Sequence, residues 1–134
     1  MTHILDLCLQ NDIKIDFHRF GYFGWADDAT KTIVIPSIHD DFTYIIALHE
    51  IGHLIGPKQE TIFGKSRDTV YVLERELGAW EYAFSVAEYL TSEMIDFAKD
   101  CFRSYLNLYA ATTSKRYDRM LSEVIEEKMS LVAA

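Results

Sequence analysis

The sequence predicts an α+β domain in which short strands come first and helices follow. Three observations carry this reading. Residues 13–18 alternate apolar and polar side chains with period two, residues 31–35 form a β-branched run closed by Pro36, and from residue 42 onward apolar residues recur every three to four positions. The expected architecture is a small antiparallel sheet of two to three strands packed with four to five helices. All of it belongs to one domain spanning residues 1–134.

The elements follow in order. Residues 2–10 form a short helix with Ile4, Leu5, Cys8 and Leu9 on one side. Strands occupy residues 13–35, interrupted by an aromatic run from Gly21 to Trp25 and by the turn-like Asp27, Asp28, Ala29 and Thr30. Asp40 or Asp41 caps a helix whose body is residues 42–55 and which Gly56 and Pro57 end. Residues 57–68 read as a loop long enough for a functional role. Asp68 or Thr69 opens a long helix running to about residue 90. A further helix, 92–109, puts Ile95, Ala98, Phe102, Tyr105 and Tyr109 on one face. The last helix starts near Ser114 with an apolar stripe of Tyr117, Met120, Leu121, Val124 and Ile125, and either completes the core or meets a second subunit.

Composition narrows the function classes. Hydrophobic residues make up 49% of the chain and include eight Phe and eight Tyr, which argues for a packed core over disorder. A net charge of −8 with scattered Lys and Arg argues against nucleic acid or an anionic membrane as the main partner. Cys8 and Cys101 match no metal or redox spacing and read as two buried thiols of a reducing compartment. The N-terminus lacks the pattern of a signal peptide and no apolar run reaches the length of a membrane span, so a cytoplasmic location is expected.

Chemistry concentrates in His49-Glu50-Ile51-Gly52-His53. Residues four apart on a helix lie one above the other, so both imidazoles can reach one metal ion while Glu50 points at a water beside it. Two histidines are one ligand short of a catalytic zinc site, which has three protein ligands and an open position. Glu74, Glu76, Glu81 and Glu88 in the next helix are the candidates, and periodicity separates them. One stripe runs Val70, Leu73, Leu77, Trp80, Phe84, Ala87, and its neighbour runs Val72, Glu76, Ala79, Ala83, Val86, Leu90. Glu76 is the only charge in either, whereas Glu74, Glu81 and Glu88 share a face with Gly78 and Ser85 that reads as solvated. A carboxylate on an apolar face needs a cation. A metal held by His49 and His53 supplies one, and the competing partner is an inward-bending Arg75 or Arg103. Gly52 on the first helix and Ala79 and Ala83 on the second would let the two pack closely.

The order of a short helix, a small sheet, a helix bearing His49-Glu50-Ile51-Gly52-His53 and then Glu76-Leu77-Gly78-Ala79-Trp80-Glu81-Tyr82-Ala83 resembles the ImmA/IrrE metallopeptidases of bacteria and phages, over roughly residues 1–90. The family's Glu followed by Ala, an aromatic and a second Ala maps onto Glu76, Ala79, Tyr82 and Ala83. Gly78 stands where many members carry a second acidic residue. The resemblance implies a stand-alone, zincin-like peptidase domain without an appended helix-turn-helix, with residues 91–134 as C-terminal helices. It also implies one Zn2+ per chain, held by His49, His53 and Glu76, and a protein substrate, a transcriptional repressor of a mobile element or stress response.

The chemistry expected of such a site is zinc-dependent peptide hydrolysis with Glu50 as general base. His18, His39, Tyr44 and Tyr71 are candidates for oxyanion stabilisation, and each also has an ordinary structural reading. Tyr22, Phe23 and Trp25 read as strand-end packing or as a cleft wall. The strand at residues 33–35 is the candidate edge for an extended substrate. Two other functions fit the residues: a non-catalytic zinc-containing regulatory or protein-binding module, and hydrolysis of another amide bond. The substrate and the oligomeric state are not legible.

Overall fold

The computed structural model of the chain describes residues 2–56 and 69–133. Five helices and a three-stranded sheet follow one another as α1 (Thr2–Gln10), β1 (Lys14–His18), β2 (Trp25–Asp27), β3 (Thr32–Pro36), α2 (Asp41–Ile55), α3 (Thr69–Val86), α4 (Ser92–Leu106) and α5 (Ala111–Ala133). The α+β class and the five-helix count agree with the sequence reading. In α1, Ile4 and Cys8 are buried while Leu9 is exposed, so the buried stripe is narrower than expected.

The sheet departs from the antiparallel expectation. Its order is β1-β3-β2, with β2 antiparallel to β3 but β1 parallel to it, Lys14 opposite Thr32 and His18 opposite Pro36. Three consecutive strands alternate in direction, and β3 lies between the other two, so β1 and β3 run the same way. Residues 19–24 carry the chain back across the sheet end. The β2–β3 turn is closed by Asp27, whose Oδ1 accepts from Ala29 N at 3.0 Å, and by Lys31 in the left-handed region at φ 54°. The expected substrate edge is likewise corrected: residues 33–35 are central in the sheet, with Ile33 and Ile35 fully buried, and β2 is an edge.

Asp40 caps α2 in a reciprocal box. Its Oδ1 accepts from Thr43 N at 2.8 Å, and Thr43 Oγ1 accepts from Asp40 N at 3.1 Å. The helix is apolar nearly all round, with Ile45, Ile46, Leu48 and Ile51 buried, because it is wrapped by the sheet, α1, α3 and α4. Gly56 ends it at φ −71°, outside the left-handed region. A Cβ there would lie 2.9 Å from Tyr82 Cβ, so this glycine serves close packing against α3. Pro57, the loop at 57–68 and Asp68 lie outside the described residues.

In α3, Leu73, Leu77, Trp80 and Phe84 point into the core as the periodicity predicts; the helix ends at Val86, short of residue 90, and Ala87 is buried just beyond it. The face expected to be solvated receives α5 instead: Gly78 is buried, and Tyr117 Oη donates to Glu74 Oε1 at 3.3 Å. α5 buries Tyr117, Leu121 and Ile125 in the same core cluster as the other helices, so its apolar stripe completes this chain's core. α4, capped by Thr91, buries Met94, Ala98, Phe102 and Leu106, which keeps Ala98 and Phe102 of the expected face but takes Met94 and Leu106 in place of Ile95 and Tyr105. Tyr105 is thereby left 36% exposed. Among the described residues no helix is long and apolar enough to cross a membrane. Cys8 and Cys101 are free thiols, each pushed up to about 11, chiefly by burial.

The tightest helix contact is where α2 crosses α3. A Cβ on Gly52 would lie 2.5 Å from the Ala79 carbonyl oxygen and 2.9 Å from its Cα. Backbone cannot yield as a flexible side chain does. Gly52→Ala is expected to push the helices apart and cost about 1–3 kcal/mol, measurable by chemical denaturation. An unchanged midpoint would show that the crossing tolerates a methyl group.

Candidate metal centre

His49, Glu50 and His53 lie in the last two turns of α2, and Glu76 lies on the face of α3 that crosses them. The Gly52–Ala79 contact brings the helices close enough for side chains to meet directly. His49 Nε2 is 2.8 Å from Glu76 Oε2, and His53 Nε2 is 3.1 Å from Glu76 Oε1. Each carboxylate oxygen thus faces one imidazole. His49 Nδ1 is 3.5 Å from Glu50 Oε2, so this ring sits between two carboxylates. Trp80 backs it in a stacked arrangement, with centroids 4.1 Å apart.

Of the two candidate arginine partners for Glu76, Arg75 makes an ion pair with Asp28 at 3.4 Å and Arg103 one with Asp118 at 2.8 Å. Glu50 and Glu76 are 4% and 8% exposed, and burying two carboxylates this deeply demands compensating positive charge.

Electrostatics follow from that demand. Burial pulls the His49 pKa down, but hydrogen bonds to Glu50 and Glu76 outweigh it and raise it from 6.5 to about 9. Burial pushes Glu76 up, but its bonds to His49 and His53 hold it at about 2. In metal-free protein the His49 contribution to stability is complete below pH 6.5 and is lost as pH rises through about 9. The Glu76 contribution is complete above pH 4.5 and is lost as pH falls through about 2. Both shifts describe one cluster and are not additive. Metal-free protein is expected to lose on the order of 3 kcal/mol between pH 6.5 and 9. Thermal melting across pH in the presence of a chelator checks this, and a flat profile over that interval would contradict it.

Two imidazoles and two carboxylates are a hard-to-borderline donor set suited to a divalent transition metal. With neutral imidazoles the cluster carries two negative charges, which a divalent cation cancels. Candidate ligand atoms of His49, Glu50 and His53 lie within 4.8 Å of one another, so this group could hold a metal ion. Glu76, bonded to both imidazoles, offers a further carboxylate.

The site opens into a groove of about 300 Å³. It is lined by Gly24 and, from the β2 edge that follows it, Trp25 and Ala26, and by Val72, Arg75 and Tyr105 of the helices. Gly24 is needed there because a Cβ would lie 3.0 Å from Glu50 Cγ and 2.8 Å from the Val34 carbonyl oxygen. Trp25, 47% exposed, stacks on His18 and Phe23, so of the aromatic run Trp25 lines the groove while Tyr22 and Phe23 are exposed outside its lining.

Of the candidate oxyanion stabilisers, His18, His39 and Tyr44 are not in the groove lining. His18 Nε2 donates to the Phe23 carbonyl at 2.5 Å and its Nδ1 accepts from Phe20 N. His39 sits in the turn before α2, 2.8 Å from the Ser37 carbonyl. Tyr44 Oη bonds His3 Nδ1 at 2.7 Å and accepts from Glu88 N. The Tyr71 side chain lies outside the described residues. Gly24 and Tyr105 were not singled out by sequence. Tyr105 carried a signal, a hydroxyl at the margin of an apolar stripe, whereas Gly24 carried none. Comparison of the chain with family models, curated proteins and solved structures finds no match.

Proposed function

We propose that this chain is a zinc-dependent metallo-endopeptidase of zincin-like design that cuts a specific protein substrate. The observation that carries the reading is the convergence of His49, His53 and Glu76 beside buried Glu50 at the floor of an open groove. His49, His53 and Glu76 would hold one zinc ion per chain. Bound zinc supplies a Lewis acid that acidifies water and polarises a carbonyl. Glu50 takes the proton of the attacking water and returns it to the leaving amine. Gly24 leaves Glu50 the room to do so, and the β2 edge offers backbone groups to an extended peptide.

The ImmA/IrrE resemblance, carried by the residues quoted above, points to a transcriptional repressor as the substrate and to action in the cytoplasm. A second reading, a non-catalytic zinc-containing protein-binding module, draws support from the exposed aromatics Phe20, Tyr22, Phe23 and Trp25, the last of which lines the groove. The test is metal analysis of purified protein, followed by incubation with the repressor encoded beside its gene. About one zinc per chain and discrete repressor fragments are expected. Zinc with an intact repressor would favour the second reading, and absence of stoichiometric zinc would refute both.

A further inference from the structure

The groove is lined by one cationic side chain among the described residues, Arg75 of α3. Its Nη2 lies 3.4 Å from Oδ2 of Asp28, the residue that follows β2 and that is not itself part of the lining. The ion pair therefore ties α3 to the end of the β2 edge, linking two of the elements between which a substrate would lie. Both side chains are well hydrated, 39% and 55% exposed, and such a pair is weak and readily exchanged.

We propose that Arg75 is a specificity-determining residue of the groove, which takes a carboxylate of the substrate in exchange for Asp28. The inference rests on the reading of the groove as a peptidase cleft. A peptide extended along β2 passes Trp25, Ala26 and Asp27 and then meets the Arg75–Asp28 pair. A guanidinium offers donors in a planar fork that matches both oxygens of a carboxylate, whereas the Asp28 contact joins one nitrogen to one oxygen at long range. The exchange replaces one carboxylate by another, so the cation keeps a counter-charge throughout. Until substrate arrives, Asp28 tethers the Arg75 side chain, which leaves less of it to be ordered on binding. Asp28 is thus a competitor of the substrate as well as a tether.

The test uses full-length, zinc-loaded protein and a synthetic peptide library containing internal Glu or Gln, each member with a free or an amidated C-terminus. Cleavage sites are mapped by mass spectrometry, and kcat/KM is measured for the best peptide and its uncharged counterpart. Wild type is expected to prefer the carboxylate form by about ten- to a hundredfold. A preference that follows internal Glu assigns a side-chain carboxylate, and one that follows the free C-terminus assigns the terminal one; either supports the proposal. Arg75→Gln should bring the preference to about one. Asp28→Asn should raise it by up to about fivefold, because the competitor is gone. The preference is a ratio within one enzyme, so a variant that folds less well does not distort it. A purely structural ion pair would be lost alike in both variants and would move the preference in the same direction in each, which would overturn the proposal. Cleavage by wild type without a carboxylate preference would overturn it too, leaving the peptidase reading intact. A zinc-loaded wild type that cuts neither the library nor the neighbouring repressor would end both.

Discussion

Glu76→Ala is expected to lower zinc affinity by roughly a hundred- to a thousand-fold, the share of one ligand in a binding free energy spread over three or four. Competition titration and metal analysis after dialysis would measure it. Glu76 is the carboxylate that both His49 Nε2 and His53 Nε2 face, so its removal takes a donor from the point where the imidazoles converge. The variant also removes one of the two carboxylates that raise His49, Glu50 being the other, so the loss of stability between pH 6.5 and 9 should shrink in part. Glu81, on the other side of α3, provides the control: Glu81→Ala should hold zinc like wild type. Zinc lost in Glu81→Ala and kept in Glu76→Ala would refute the ligand assignment.

The second large effect is at Glu50. Glu50→Gln keeps the shape of the side chain and removes the base. It is expected to retain zinc at close to wild-type affinity and to slow cleavage by about 10²–10⁴-fold, the usual contribution of a positioned general base. Cleavage rates at saturating substrate, with zinc content measured on the same samples, separate the two effects. Retained cleavage would end the mechanism. Lost zinc would mean that Glu50 is a ligand, which the proximity of its carboxylate to both imidazoles makes a concrete alternative.

Much of this centre was legible because its signals are local. The spacing of His49 and His53 needs only a helix, and α2 announces itself through Asp40 and its apolar body. Glu76 was legible because a lone charge interrupts an apolar stripe, and a stripe is a property of one helix. Gly52 and Ala79 were readable as close-packing residues for the same reason.

What escaped depends on which elements meet. β2 spans only three residues, too few to show a period, so nothing in the chain placed β3 in the middle of the sheet or set β1 parallel to it. The face of Glu74 and Gly78 reads as solvated until α5 covers it. In α4 the face centred on Ala98 and Phe102 is readable, but either Tyr105 or Leu106 can close it at the C-terminal end. Packing selects Leu106 for the core and leaves Tyr105 to the groove, a choice made by α2, α3 and α5 outside α4's own sequence.

The central claim is that His49, His53 and Glu76 hold one metal ion with Glu50 beside it. Crystallography of zinc-loaded protein with anomalous data at the zinc edge tests this most directly. The expected result is a single zinc peak in contact with nitrogens of His49 and His53 and a carboxylate oxygen of Glu76, with Glu50 outside the coordination sphere. A zinc ion bound by Glu50 in place of Glu76, or one seated away from these histidines, would contradict it.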